Sequence, residues 1–208
     1  MDNIFQDLIL SYDRKSNERD KHIVPDWKKD LRWKFLEILK SEEKTSLLDI
    51  GAGTGIHARF FHEHGLNVTC IDLSPANIQK CLEKGLDSSI LNILDLNSHG
   101  QEYDCAFALN SLLHIPTLQL PTALSNISNI LKPGGLFFWG QYGGQYREGV
   151  YQDDHHDPIR FFSLLNDDQL NKFASTEFII ERFDTKILED NSSLHFQSIL
   201  ARKKAETL

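Results

Sequence analysis

The apolar run Ser46-Leu47-Leu48-Asp49-Ile50 passes directly into Gly51-Ala52-Gly53-Thr54-Gly55, and a helical pattern starts at Ile56. A buried strand, a glycine loop and a helix in immediate succession open a βα unit, in which the chain turns sharply at the carboxyl edge of a sheet. Glycines let the backbone make that turn and let a ligand touch the main chain where a side chain would collide. The same alternation continues downstream, which predicts an α/β domain with a parallel sheet. Strands are expected at 46–50, 67–71, 88–91, 103–109 and 136–140, and helices at 27–39, 56–64 and 75–84. A further helix carries Leu120, Leu124, Ile127 and Leu131 on its apolar face. Residues 141–165 break the rhythm with Gly, Tyr, Asp and His in no clean period. A short helix over 166–174 and a hairpin from 177–183 and 194–201 follow.

A chain of 208 residues suits one domain. It divides into a helical cap segment (1–44), a ligand-binding core (45–140), an insertion on the substrate side (141–165) and a C-terminal helix and hairpin (166–208). With 40% hydrophobic and 25% charged residues, disorder is excluded. Lys and Arg number 22 against 30 Asp and Glu, a net −8, and the longest basic run is Arg202-Lys203-Lys204, so nucleic acid is not expected as a partner. No apolar run reaches the ~18–20 residues of a membrane helix, so no membrane partner is expected either. The start MDNIFQDLIL lacks the basic flank of a secretory signal. Cys70, Cys81 and Cys105 share no metal-ligand spacing, and a reducing, cytoplasmic setting fits them, for a monomer or homodimer.

Asp72 lies 21 residues after Gly51, at the end of the second expected strand, where an acid accepts both hydroxyls of a ribose. Dinucleotide sites require Gly-x-Gly-x-x-Gly and rest a pyrophosphate on the helix N-terminus. Here the sixth position is Ile56. Asp49, just before the loop, disfavours a pyrophosphate but suits the ammonium of a methionine moiety, directly or through water. The spacing favours S-adenosylmethionine over NAD.

On these residues the chain resembles the class I S-adenosylmethionine-dependent methyltransferases, in their small-molecule branch. Leu47-Leu48-Asp49-Ile50-Gly51-Ala52-Gly53-Thr54-Gly55 is similar to the family's first motif, and Val68-Thr69-Cys70-Ile71-Asp72-Leu73-Ser74-Pro75 to its second. Ile93-Leu94-Asp95-Leu96 resembles the third, whose acid meets the adenine amino group while the next residue packs on the ring. Tyr103-Asp104-Cys105-Ala106-Phe107-Ala108-Leu109-Asn110 resembles the fourth, and Leu131-Lys132-Pro133-Gly134-Gly135 the lead into strand five. The resemblance implies a Rossmann-like seven-stranded sheet ordered 3-2-1-4-5-7-6, strand 7 antiparallel, with helices on both faces. It implies S-adenosyl-L-methionine as cofactor and S-adenosyl-L-homocysteine as product. The cofactor residues it implies are Tyr12, Asp49, Gly51, Ala52, Gly53, Gly55, Asp72, Leu73, Asp95, Leu96 and Asn110.

Methyl transfer is an in-line displacement that needs an aligned nucleophile and, for some acceptors, a base. His114, at the carboxyl edge after strand four, and His155 and His156 in the insertion are the candidate bases. Tyr142, Tyr146, Tyr151 and Phe161 are candidate substrate contacts. With the acids Glu148, Asp153, Asp154 and Asp157, they suit an aromatic or cationic small-molecule acceptor. Adjacent residues in Asp153-Asp154-His155-His156-Asp157 point in different directions, so no metal is expected. No Asn-Pro-Pro-Tyr-type motif for nucleobase or amide nitrogens is present. A protein or peptide methyltransferase, and a non-catalytic binder of the cofactor, are the alternatives.

Overall fold

In a computed structural model, which describes residues 2–188 and 194–204, two helices precede the sheet: α1 (Asp2–Asp20) and α2 (Asp26–Ser41). Strands and helices then alternate as β1 (Ser46–Ile50), α3 (Ile56–Glu63), β2 (Asn67–Asp72), α4 (Pro75–Glu83), β3 (Asp87–Ile90), β4 (Tyr103–Leu109), α5 (Leu120–Asn129) and β5 (Leu131–Gly143). After β5 come β6 (Arg147–Val150), β7 (Phe161–Leu164), α6 (Asp167–Glu177), β8 (Phe178–Ile187) and β9 (His195–Lys203). One sheet runs β3-β2-β1-β4-β5-β9-β8, and β6 and β7 form a separate ribbon. β1 to β5 pair in parallel, while β9 is antiparallel to both β5 and β8. Counting the seven sheet strands alone gives 3-2-1-4-5-7-6, the implied order, and its single reversed strand is β9.

Both faces of the sheet are covered, which is why β1, β2 and β4 read as continuous apolar runs and not as alternation. On one face Phe35 of α2 and Phe61 of α3 pack on Phe107 and Phe138, whose rings stack 5.0 Å apart. On the other, Leu120, Leu124 and Ile127 of α5 and Leu170 of α6 cover Phe137, Trp139 and Ile199. α4 starts where its sequence says it must: Ser74 caps it, accepting from Asn77 N–H at 3.1 Å, and Pro75 occupies the first turn.

Three regions differ from the sequence expectation. Residues 2–20 form a helix of their own; its Leu8, Ser11 and Ser16 are buried, a mixed polar and apolar face with no clean stripe. β5 begins at Leu131, not 136, because Leu131 already pairs with Tyr103 before the register shifts and Cys105 pairs with Leu136. Pro133, Gly134 and Gly135 are absorbed in that irregularity. The insertion is ordered by β6–β7 pairing, with Arg147 opposite Leu164 and Val150 opposite Phe161.

Candidate functional site

The carboxyl ends of β1, β2 and β4 meet beneath α1, and two adjoining hollows open there. The smaller, about 90 Å³, is walled by Ile71, Asp72, Leu73, Leu91 and Ile93; the larger, about 560 Å³, by Asp49, Ala52, Tyr142 and the insertion. Tyr12, Arg19, Gly51, Gly53, Asn110 and His114 border both. The position is the crevice beyond the strand ends where open α/β sheets bind ligands.

The loop after β1 has little to offer a phosphate. Gly51 and Ala52 both donate their N–H to Ile71 O (2.8 and 3.0 Å), Gly53 donates to Asp72 Oδ2 (2.8 Å) and Gly55 to Ala52 O (3.0 Å). With those donors engaged, this loop is no anion nest, which agrees with the sequence preference against a pyrophosphate. Its glycines split into two roles. A Cβ on Gly53, whose φ is +57°, would meet no protein atom within 4 Å: it would project into the space at the crossing of the two hollows. A Cβ on Gly55 would instead lie 2.9 Å from both Cys81 Sγ and Leu86 Cδ1. Gly55 borders neither hollow, and it serves the close packing of the start of α3 on α4 and on Leu86 just before β3, not the cradle implied for it.

Asp72 is oriented by the backbone: besides Gly53, Ser74 N–H donates to its Oδ1 at 2.8 Å. Burial pushes its carboxyl up, against these bonds, which favour the charged form. Asp49 is 3% exposed. One oxygen accepts from Ala58 N–H, while Oδ2 is buried with no partner among the described residues. Burial, reinforced by the Asp72 charge, raises the Asp49 carboxyl to about 8. A buried acceptor left open on the wall of a cavity is the feature an ammonium satisfies. Asn110 at the end of β4 is held at φ +55° by its N–H bond to Gly140 O (2.7 Å), and its Oδ1 is also buried without a partner.

The third motif lies differently from its implied role. Asp95 is exposed on the 3-10 turn Ile93–His99 and borders neither hollow, and Leu96 is fully buried in the core. That turn, capped by Asn92 Oδ1 accepting from Leu94 N–H, rotates Asp95 outward and leaves Leu91 and Ile93 on the wall.

A hydrogen-bonded chain crosses the larger hollow. Phe161 O can only accept, so His114 Nδ1 carries the proton (2.8 Å); Nε2 then accepts from the Tyr12 hydroxyl (2.7 Å). Arg160 Nη1 donates to that hydroxyl oxygen (3.0 Å). Burial lowers His114 to about 3. Both of its nitrogens are engaged and it is neutral, so it positions Tyr12 and is no free base. Arg160 also forks onto Asp154 through Nε and Nη2 (2.9 and 2.8 Å). Burial by itself would raise the Asp154 carboxyl, but Arg160 holds it well below the carboxylate range. Ionised Asp154 can only accept, so His156 Nδ1–H donates to it (3.2 Å), leaving the Nε2 lone pair buried with no partner among the described residues. Burial, then the Arg160 charge, lowers His156 below its ordinary value. His155 borders the same hollow but is exposed.

Of the aromatic candidates, only Tyr142 borders a hollow. Tyr146 is exposed and donates to Glu148, and Tyr151 packs on Phe162 outside both spaces. Phe161 points away because successive residues of β7 face opposite sides, which puts Phe162 on the wall instead. The four acids do not reach the hollow either. Glu148 is taken up by Thr117, Tyr146 and Ser163, Asp154 by Arg160, Asp157 by Arg14, and Asp153 is exposed. Arg19, Lys28, His57 and Arg160 line it in their place, none of them evident from a local motif. Among the described residues no group of three or more His, Cys, Asp or Glu is arranged to hold a metal. No described helix is long and apolar enough to cross a membrane.

Comparison with known proteins agrees with this geometry. Residues 47–135 match the model of a methyltransferase domain family. The chain is 26% identical over 219 residues to the ubiquinone/menaquinone biosynthesis C-methyltransferase of Zymomonas mobilis, covering 96% of this chain and 85% of that one. It is 28% identical over 125 residues to the ubiquinone biosynthesis O-methyltransferase of Hydrogenovibrio crunogenus, covering 56% of this chain and 51% of the relative, so it spans about half that protein's length. The fold matches the 1,6-didemethyltoxoflavin-N1-methyltransferase of Burkholderia thailandensis, with a TM-score of 0.71, 20% identity and 95% and 88% coverage. Sheet order, loop and matched domain define a methyltransferase. Taken together, the matched domain, the methyltransferase relatives and the shared fold support a class I S-adenosylmethionine-dependent methyltransferase.

Proposed function

We propose that this chain is a single methyltransferase domain that methylates a small-molecule acceptor. In this reading the smaller hollow receives the adenosine and the larger one the methionine end and the acceptor. The observation that carries it is the pairing of Asp49 Oδ2, buried and without a partner, with the open space over Gly53. Asp72 takes the ribose hydroxyls, Leu73, Leu91 and Ile93 flank the base, and Asp49 with Asn110 holds the methionine end beside Tyr12. When bound, S-adenosylmethionine supplies an activated sulfonium methyl for in-line displacement, leaving S-adenosylhomocysteine. The protein positions the acceptor and excludes water. His156 Nε2 takes a proton from an O, N or S nucleophile that carries one, and Asp154 holds the imidazole in the required tautomer. The buried free thiols of Cys70, Cys81 and Cys105 support a cytoplasmic setting.

The test uses calorimetry and a methyl-labelled cofactor. S-adenosylhomocysteine is expected to bind and NAD not, and labelled methyl is expected to pass to a low-molecular-weight fraction of a metabolite extract. Binding of NAD, or label appearing only in the protein fraction, overturns the reading. Cofactor binding without any transfer favours a non-catalytic binder.

A further inference from the structure

Two basic side chains of the larger hollow, Lys28 and Arg19, have no carboxylate partner among the described residues. Lys15 pairs with Glu18 and Arg160 with Asp154. Lys28 makes no side-chain hydrogen bond or ion pair among the described residues; its ammonium lies 5.1 Å from the ring of Trp27, 4.9 Å from Tyr142 and 5.7 Å from Phe196. Burial, then the charge of Arg19, lowers it to about 8, and no carboxylate raises it. An unpaired, partly desolvated ammonium on a cavity wall is costly unless a ligand supplies the anion.

Charge matching indicates which ligand that is. The methionine end of the cofactor brings one ammonium and one carboxylate. Asp49 faces the first. Arg19, also without a carboxylate partner, borders both hollows beside Tyr12 and suits the second. Lys28 borders only the larger hollow. Two of the rings beneath it, Tyr142 and Phe196, are register partners on β5 and β9. β5 lies three strands from β2, about 14 Å at ~4.8 Å per strand, so Lys28 sits well away from the ribose acid. The four acids of the insertion are turned elsewhere, and no carboxylate pairs with Lys28 among the described residues. We infer that Lys28, with the Tyr142 ring, forms a subsite for an anionic oxygen group, carboxylate or phosphate, on a flat acceptor. The inference rests on the methyl-transfer reading and replaces the cationic acceptor suggested by composition.

The test titrates the full chain, saturated with S-adenosylhomocysteine, with benzoate, phenyl phosphate and benzamide. Benzoate or phenyl phosphate is expected to bind at least about tenfold more tightly than uncharged benzamide, with the preference weakening in high salt. The stronger of the two anions identifies the group. Lys28→Met keeps the packing over the rings and is expected to abolish the preference without changing S-adenosylhomocysteine affinity or the melting temperature, while Lys28→Arg restores it. Equal binding of all three probes, or binding of none, overturns the inference. So does a loss of S-adenosylhomocysteine affinity in Lys28→Met as large as the loss of anion binding, which would assign Lys28 to the cofactor's carboxylate. Wild-type protein that fails to bind S-adenosylhomocysteine at all overturns the methyl-transfer reading itself.

Discussion

The wall around Asp72 and the wall around His156 are made of different material. Around Asp72 the polar contacts are main chain: Gly53 and Ser74 N–H hold the carboxylate, and Ile71 O anchors Gly51 and Ala52. The residues involved fall between 49 and 77, within two consecutive βα units. Around His156 the contacts are side chain to side chain and bridge the length of the protein. Arg160 reaches Tyr12 across 148 positions, and Tyr12 reaches His114 across 102. A backbone-built wall is preformed by the sheet and tolerates few changes at its glycines. Under the proposed function, the wall built from side chains of α1, α2 and the insertion is the one that would set selectivity, and single substitutions there would retune it.

The largest effect is expected on the side-chain wall. His156→Ala should lower turnover by up to ~10²–10⁴-fold on an acceptor that carries a proton, with cofactor affinity unchanged, whereas His155→Ala stays near wild type. Steady-state rates and calorimetry on both variants check this, and equal losses would erase the distinction drawn between the two histidines. On the backbone wall, Gly53→Val combines a positive φ with a branched side chain in the ligand's space. It should weaken S-adenosylhomocysteine binding by more than about 100-fold, while Gly55→Ala, which meets Cys81 and Leu86, should chiefly lower the melting temperature. If the two glycines exchange these phenotypes, the division of the loop is wrong.

Asp72→Ala is expected to cost on the order of 1.5–3 kcal/mol of cofactor affinity. The apo protein should also lose some stability, because the Gly53 and Ser74 N–H groups are left without their acceptor. Affinity retained at full stability would remove Asp72 from the site. The smallest signal is a proton. Because the folded Asp49 carboxyl is raised to about 8, its stabilising contribution is full below the unfolded value near 4 and is lost as pH rises through 8. Apo melting temperature should fall over that window, and Asp49→Asn should flatten the fall. At pH 7, binding the cofactor's ammonium beside Asp49 should release close to one proton, read by calorimetry in buffers of different ionisation enthalpy. Absence of release in the wild type would separate Asp49 from the ammonium.

The cofactor half was legible because its signals are local. Val68 to Ser74 reads as strand, acid and cap in order, and Asp72 stands where that order puts it. Even there, Gly55 and Leu96 look like ligand contacts and are packing residues, since a motif records spacing and not the direction of a side chain. The acceptor half resisted because charge counts do not reveal pairing. Asp154 and Asp157 suggest a negative pocket until Arg160 and Arg14 are seen to consume them.

The sheet order with its reversed strand was implied by the family resemblance; by itself, the order of residues determined the βα alternation and the placing of Gly53 and Asp72 at adjoining strand ends. Both of the latter follow from periodicity and turn chemistry over a few residues. Only the tertiary structure decided which histidine keeps a free lone pair, which phenylalanine of the Phe161-Phe162 pair faces in, and that unpaired cations line the larger hollow. Those outcomes depend on which side chains from α1, α2, β5 and the insertion come within hydrogen-bond reach, and that is a property of packing between segments distant in the chain.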